Sequence, residues 1–291
     1  MKKRILIALV VLLLAVFAVT FYVFGRPAEI DNEALFNAIA EGDQAAVSSM
    51  IENGQAVNLT NDAGMTAFQV SVTSLQPGVG ELLLDEGADP SQEDAWLIAQ
   101  SMIDPALDEE GINDQMFSLI QKLHEQDSDL IFELNDEDET LLFEAVRMHH
   151  EALFAWLTEQ GVDTGAINSS GDTLFHTAAR FPYKSVSFVT EFVSYPGGKV
   201  NGNSDMPITA AVKSNNPEWV RVFAEADEVN WQNQQGWTAL MFASDYGFTE
   251  SVSMLLELGA DTDIENDNGN TAADLAANYD NGEILSLLNQ N

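Results

Sequence analysis

With 47 acidic side chains against 11 basic ones and four His in 291 residues, the chain carries a formal net charge of −36. That balance excludes a nucleic-acid footprint, which needs a basic face, and it argues against lying flat on an anionic lipid surface. The chain has no Cys, so a zinc site would have few possible ligands, no lipid-modified Cys can serve as an anchor, and an oxidising compartment is compatible but not required.

The first element is apolar. Residues 5–24 contain no charge, and only Thr20 and Tyr22 among them bear a hydroxyl. As a helix, this stretch would span about 30 Å, the thickness of a bilayer core. The rival reading, a cleaved secretory signal, expects an apolar core of about 7–15 residues and a small-residue cleavage site. Here the run is longer and ends on the bulky Phe21, Tyr22, Val23 and Phe24. The expectation is a single transmembrane signal-anchor within residues 1–27, then a short linker at 28–32. Lys2, Lys3 and Arg4 ahead of the span favour a cytoplasmic N-terminus. The remainder would then face the other side, the periplasm if the membrane is a bacterial inner membrane.

From residue 33 a phrase recurs. Gly64-Met65-Thr66-Ala67-Phe68 returns as Gly171-Asp172-Thr173-Leu174-Phe175, as Gly236-Trp237-Thr238-Ala239-Leu240 and as Gly269-Asn270-Thr271. Three residues before each Gly stands an Asn: Asn61, Asn168, Asn233 and Asn266. Asn135 and Asn201 hold the same place in two weaker copies, with Asp138 and Ser204 where the Gly would be. From Asn135 onward the steps are 33, 33, 32 and 33 residues. A constant period of this length means stacked copies of one small unit. The Asn closes a turn through its side chain, the Gly supplies a positive φ, and the Thr caps the helix after it. Five residues past the Thr position stand Ala145, Ala178, Ala211, Ala243 and Ala276, small enough for neighbouring helices to approach closely. Each unit then shows two apolar runs around a polar break and closes on a Gly, as in Leu255-Leu256-Glu257-Leu258-Gly259-Ala260-Asp261 and Leu82-Leu83-Leu84-Asp85-Glu86-Gly87-Ala88-Asp89. A Gly just past a Leu-rich run reads as a helix C-cap.

Helix, turn, helix, Gly-Ala-Asp and an extended loop closed by an Asn turn: the combination resembles the ankyrin repeat over residues 33–291. The resemblance implies an all-α solenoid of about 6–8 helix-turn-helix units, preceded by the single N-terminal transmembrane helix. The units fall near 33–61, 62–94, 95–135, 136–168, 169–201, 202–233, 234–266 and 267–291. The third is degenerate: Asn61 to Asn135 spans 74 residues, eight more than two periods, and residues 94–111 carry Pro105 and an acidic run. Only the sixth copy has Pro, Pro207, after the Thr position, and there Met206 replaces the Thr. The first and last units read as caps.

Chemistry-bearing motifs are few. His176 sits where such repeats tie neighbouring loops by hydrogen bonds, and His149 and His150 coincide with the Gly-His turn between the helices. Residues 261–269 look superficially like a calcium loop. With Gly269 at its sixth position, Ile264 and Leu275 fall where acids are required, so the match fails. A third-unit active site would find no His or Cys between residues 94 and 122. No catalytic, cofactor-binding or metal-binding residue is expected, no cofactor, and no small-molecule substrate. The expected function is non-enzymatic protein–protein interaction, membrane-anchored through residues 5–24, the alternative being a secreted or periplasmic soluble inhibitor or effector released by cleavage. Arg147, Arg180 and Lys213 each lie seven residues past the Thr position. Stacking lines them up, either as an anion-accepting strip or as cations placed at helix C-termini by the dipole. Trp231 and Trp237 flank one turn, either as a binding hot spot or packed against the adjacent finger. These five are the candidate partner-binding residues. Trp156, beside Leu153 and Leu157, reads as core.

Overall fold

A computed structural model describes residues 32–102, 108, 111–181, 187–194, 197–224, 229–278 and 281–290. The apolar segment at residues 5–24 lies outside them. Among the described residues no helix is long and apolar enough to cross a membrane. Among the described residues sixteen α-helices fall into eight consecutive pairs, with no strand beyond one isolated bridge between Thr60 and Thr66. The chain divides into two compact units, Met1–Asp89 and Pro90–Asn291.

In the first unit the described residues form two pairs, α1 (Asn32–Glu41) with α2 (Gln44–Glu52) and α3 (Ala67–Thr73) with α4 (Pro77–Asp85). First helices pack on each other, and so do second helices. The motif Asn61-x-x-Gly64 forms the turn its residues dictate. Asn61 Oδ1 accepts from the backbone of Ala63 and Met65 at 3.0 Å, and Gly64 takes φ 81°. Thr66 Oγ1 caps α3 by accepting from Gln69 N at 3.1 Å, while Gln69 Oε1 accepts from Thr66 N at 3.0 Å. This reciprocal box satisfies two otherwise orphaned donors. Leu35, Ile39, Val47, Val72 and Leu83 are fully buried along the seam.

The second unit holds six pairs: α5 (Gln92–Ser101) and α6 (Ile112–Gln126), α7 (Leu141–Arg147) and α8 (Glu151–Glu159), α9 (Leu174–Arg180) and α10 (Ser187–Phe192), α11 (Pro207–Lys213) and α12 (Pro217–Ala224), α13 (Ala239–Tyr246) and α14 (Thr249–Glu257), α15 (Ala272–Ala277) and α16 (Gly282–Leu288). The first helices α7, α9, α11, α13 and α15 stack in order, each on the next. At the helix crossings lie Ala145, Ala178, Ala211, Ala243 and Ala276, all buried, because only a methyl fits between backbones this close. Successive loop tips also join through backbone: Ser169 N to Glu137 O at 2.8 Å, Gly202 N to Ser170 O at 2.8 Å, and Asp267 N to Gln235 O at 3.1 Å. Gly171 is needed on both counts, for it has φ 80° and a Cβ there would come within 2.7 Å of Gly202 N.

Where the sequence substitutes other residues for Gly, the backbone keeps the left-handed conformation. Asp138 has φ 60° and Ser204 φ 59° in the loop turns. Leu75, His149 and Asn215 hold φ between 51° and 55° in the turn joining the two helices, where Gly42 and Gly247 serve elsewhere. The irregular third pair also differs from its neighbours in length. Its second helix, α6, runs 15 residues against nine in α8 and α14. Asp108 caps it, Oδ1 and Oδ2 accepting from Ile112 N and Asn113 N at 2.6 and 2.8 Å. In the fourth pair Thr140 Oγ1 is buried without a hydrogen-bond partner among the described residues, so there the expected cap does not form.

Candidate partner-binding surface

The three basic residues do line up, each facing a carboxylate eight positions earlier in its own repeat. Arg147 binds Glu139, and its Nη1 also donates to Glu144 at 2.8 Å. Arg180 forks onto Asp172, with Nη2 donating to Oδ1 at 3.0 Å. Lys213 Nζ donates to Asp205 Oδ2 at 2.6 Å. The acids are deep, with side chains 4%, 2% and 5% exposed, whereas the cations are partly in solvent. Burial works to lower the pKa of Arg147, but the hydrogen bonds and charges of Glu139 and Glu144 outweigh it and raise the value.

Each buried acid has a further donor, one repeat on. Asn168 Nδ2 donates to Glu139 at 2.9 Å, Asn201 Nδ2 to Asp172 at 2.9 Å, and Asn233 Nδ2 to Asp205 at 3.1 Å. The same Asn side chains close their own turns through Oδ1. One amide therefore does two things: its carbonyl builds the local turn, and its NH2 group ties that turn to the carboxylate of the repeat before. The acid, the cation and the next Asn make a rung, repeated three times.

The fourth rung is broken. Trp237 stands at the acid position and Asp245 at the cation position. Asn266 Oδ1 still closes its turn at 3.0 and 3.1 Å. Its Nδ2 is buried with no hydrogen-bond partner among the described residues, a loss of about 1–3 kcal/mol for an unsatisfied donor. In place of the ion pair lies a run of rings. Trp237 and Phe242 have centroids 4.8 Å apart, Phe242 and Tyr246 6.1 Å, and Tyr246 and Phe248 5.6 Å. Lys213 Nζ sits 4.2 Å over the Phe242 ring. Tyr246 is 47% exposed and Trp231 40%. The Trp231 indole N–H donates to Ser204 O at 2.9 Å.

A family model described as "Ankyrin repeats (3 copies)" matches residues 182–266 and again 208–291. Residues 182–291 carry ankyrin repeats. The crystal structure of EF0377, an ankyrin repeat protein, superposes with a TM-score of 0.54 at 22% identity, covering 62% of this chain and 95% of that one, which supports the all-α fold. Among curated relatives, human NAD-capped RNA hydrolase NUDT12 is 42% identical over 60 residues, 21% of this chain and 13% of its own length. Mouse ankyrin repeat and SAM domain-containing protein 6 is 37% identical over 93 residues, 31% of this chain. The chain thus spans only 13% and 10% of these two relatives.

Within the stacked helix pairs these histidines are framework. His176 Nδ1 accepts from Thr173 N at 3.2 Å, and Nε2 lies 3.0 Å from Asp205 O. A backbone N–H can only donate and a carbonyl only accept, so the ring is neutral with its proton on Nε2. Burial, opposed by the hydrogen bond to Asp205, holds its pKa below the ordinary histidine value. His150 caps α8, with Nδ1 accepting from Leu153 N at 3.0 Å. His149 and His150 are both pushed down by burial. Among the described residues no group of three or more His, Asp or Glu is placed to hold a metal ion. Trp156 is half-buried, edge-on to Phe117 and His124 of α6 at 5.8 and 5.3 Å.

Of the five candidates, the structure joins Arg147, Arg180 and Lys213 into one series of rungs and sets Trp237 at its end. Trp231 lies one loop away, bonded to the backbone of the preceding repeat. The buried acids Glu139, Asp172 and Asp205 and the aromatic partners Phe242 and Tyr246 were not among the candidates. Their signal was an acid eight residues before each cation and an Asn 28 or 29 residues after each acid.

Proposed function

We propose that this ankyrin-repeat chain is a non-enzymatic scaffold that binds a protein partner through the surface around Trp231, Trp237 and Tyr246. The carrying observation is the broken rung. Three repeats bury a carboxylate, pair it and tie it to the next Asn, whereas the seventh gives up that framework for a run of rings of which Tyr246 is exposed, and leaves Asn266 Nδ2 without a hydrogen-bond partner among the described residues. A departure from a local rule that leaves a buried donor without a partner among the described residues marks a surface kept for something other than folding. Aromatic side chains on a rigid scaffold are the usual anchors of protein interfaces. Arg147, Arg180 and Lys213 are already met by carboxylates of their own repeats, so the anchor is placed on the rings rather than on the basic strip. No hydrolase activity is assigned, because the resemblance to NUDT12 covers only a small part of that enzyme.

Residues 5–24 anchor the chain in a membrane, with Lys2, Lys3 and Arg4 on the cytoplasmic side and the repeats on the other. The length of the uncharged run supports the anchor, and the Lys and Arg ahead of it the orientation. A photo-crosslinking residue at position 246 should capture one defined protein in intact cells, from a membrane fraction, and the same residue at Glu257 should not. Capture at both positions alike, or at neither, refutes the surface; recovery of the protein only in soluble fractions refutes the anchor.

A further inference from the structure

Three neighbouring repeats show what the positions of Trp237 and Asp245 normally hold: a buried acid, and a cation eight residues on. In the seventh repeat the cation's place is taken by the half-buried carboxylate of Asp245, which makes no ion pair among the described residues. Tyr246, the next residue in the chain, ends the ring run Trp237, Phe242 and Tyr246 and is nearly half exposed. The run is already suited to positive charge, since Lys213 places its ammonium 4.2 Å above Phe242 while bonding Asp205. A cation over an aromatic face, next to a carboxylate, gains from the ring quadrupole and from the ion pair together.

We infer that this surface takes a basic segment of the partner protein, whose Arg or Lys side chain lies over Tyr246 and pairs with Asp245. The inference rests on the scaffold reading above and names the partner's chemistry. Charge selects the occupant. A chain with a net charge of −36 repels a second copy of itself, and it steers positively charged segments toward its surface. A purely apolar segment would leave Asp245 facing a water-poor contact without a counter-charge, which burial disfavours.

The test uses the full chain in detergent micelles at physiological salt and four fluorescent 12-residue Gly-Ser peptides, carrying three Arg, three Lys, three Leu or three Glu. Anisotropy should show the Arg and Lys peptides binding and the Glu peptide not. Tyr246→Leu, which keeps apolar bulk and removes the ring, should weaken the Arg peptide about two- to fivefold, the weight of one exposed cation–π contact. Asp245→Asn should weaken it by a similar factor, and the exposed control Glu257→Gln should not. Equal losses from Asp245→Asn and Glu257→Gln, with none from Tyr246→Leu, would reduce the effect to general charge and overturn the site. Tighter binding of the Leu peptide than of the Arg peptide would overturn the cationic occupant. In either of those cases, persistent crosslinking at position 246 leaves the scaffold reading standing, whereas its loss sinks that reading by itself.

Discussion

Rebuilding the broken rung offers a quantitative check on the framework. The double change Trp237→Asp with Asp245→Arg should restore an acid, its cation and the acceptor that Asn266 lacks. Positions 237 and 266 are 29 apart, as are 172 and 201, so a carboxylate at 237 sits where Asn266 Nδ2 can reach it. Satisfying that buried donor returns about 1–3 kcal/mol. Losing the Trp237 contact with Phe242, at 4.8 Å, removes about 0.5–1.5 kcal/mol beyond area. The new ion pair, half in solvent like its neighbours, adds about 0.5–1 kcal/mol. Trp237→Asp alone should be neutral to destabilising, because it sets a second carboxylate beside Asp245. Asp245→Arg alone should change little. The double variant should exceed the sum of the singles by about 1 kcal/mol, a coupling that shrinks at high salt because part of it is Coulombic. Urea midpoints at constant slope measure it. A coupling at or below zero would mean that the rungs are not a modular unit. By the partner reading, the same double variant should lose binding as it gains stability.

Three single positions carry further predictions. Leu75 holds φ 55°, so Leu75→Gly should stabilise the chain by about 1 kcal/mol, read from the urea midpoint; a loss would mean that its side-chain contacts outweigh the backbone strain. Ala211 is fully buried in α11 between stacked helices, so Ala211→Leu should destabilise by about 1–3 kcal/mol in thermal unfolding; a neutral result would show slack in the stack. His176 has its pKa held low in the fold, chiefly by burial. Above about pH 6.5 the ring is neutral in both states and its contribution is whole. As pH falls below that value the unfolded chain takes up the proton first, so stability is lost until the folded pKa is passed. His176→Gln, with the residue type that closes the same box in α3 as Gln69, should flatten the stability change between pH 7 and 5.5. An unchanged slope would place the titration elsewhere.

The sequence by itself determined the period, the loop turn, the caps and the small residues at the stack. Each is a local rule: an Asn or Gly whose backbone preference shows within four residues, a Thr that caps its own helix, an Ala recurring at constant spacing. The left-handed φ at Asp138 and Ser204 keeps the same register even where the Gly is missing. Local rules could not say where Arg147, Arg180 and Lys213 point, since a cation at a helix end serves its dipole, a carboxylate or a partner equally well. Only stacking decided it, by bringing each Asn amide within about 3 Å of an acid 28 or 29 residues away. The orphan at Asn266 could not be read locally either, because the turn that residue makes is intact. What fails is its other bond, to a neighbour that the sequence places far off and the fold places alongside.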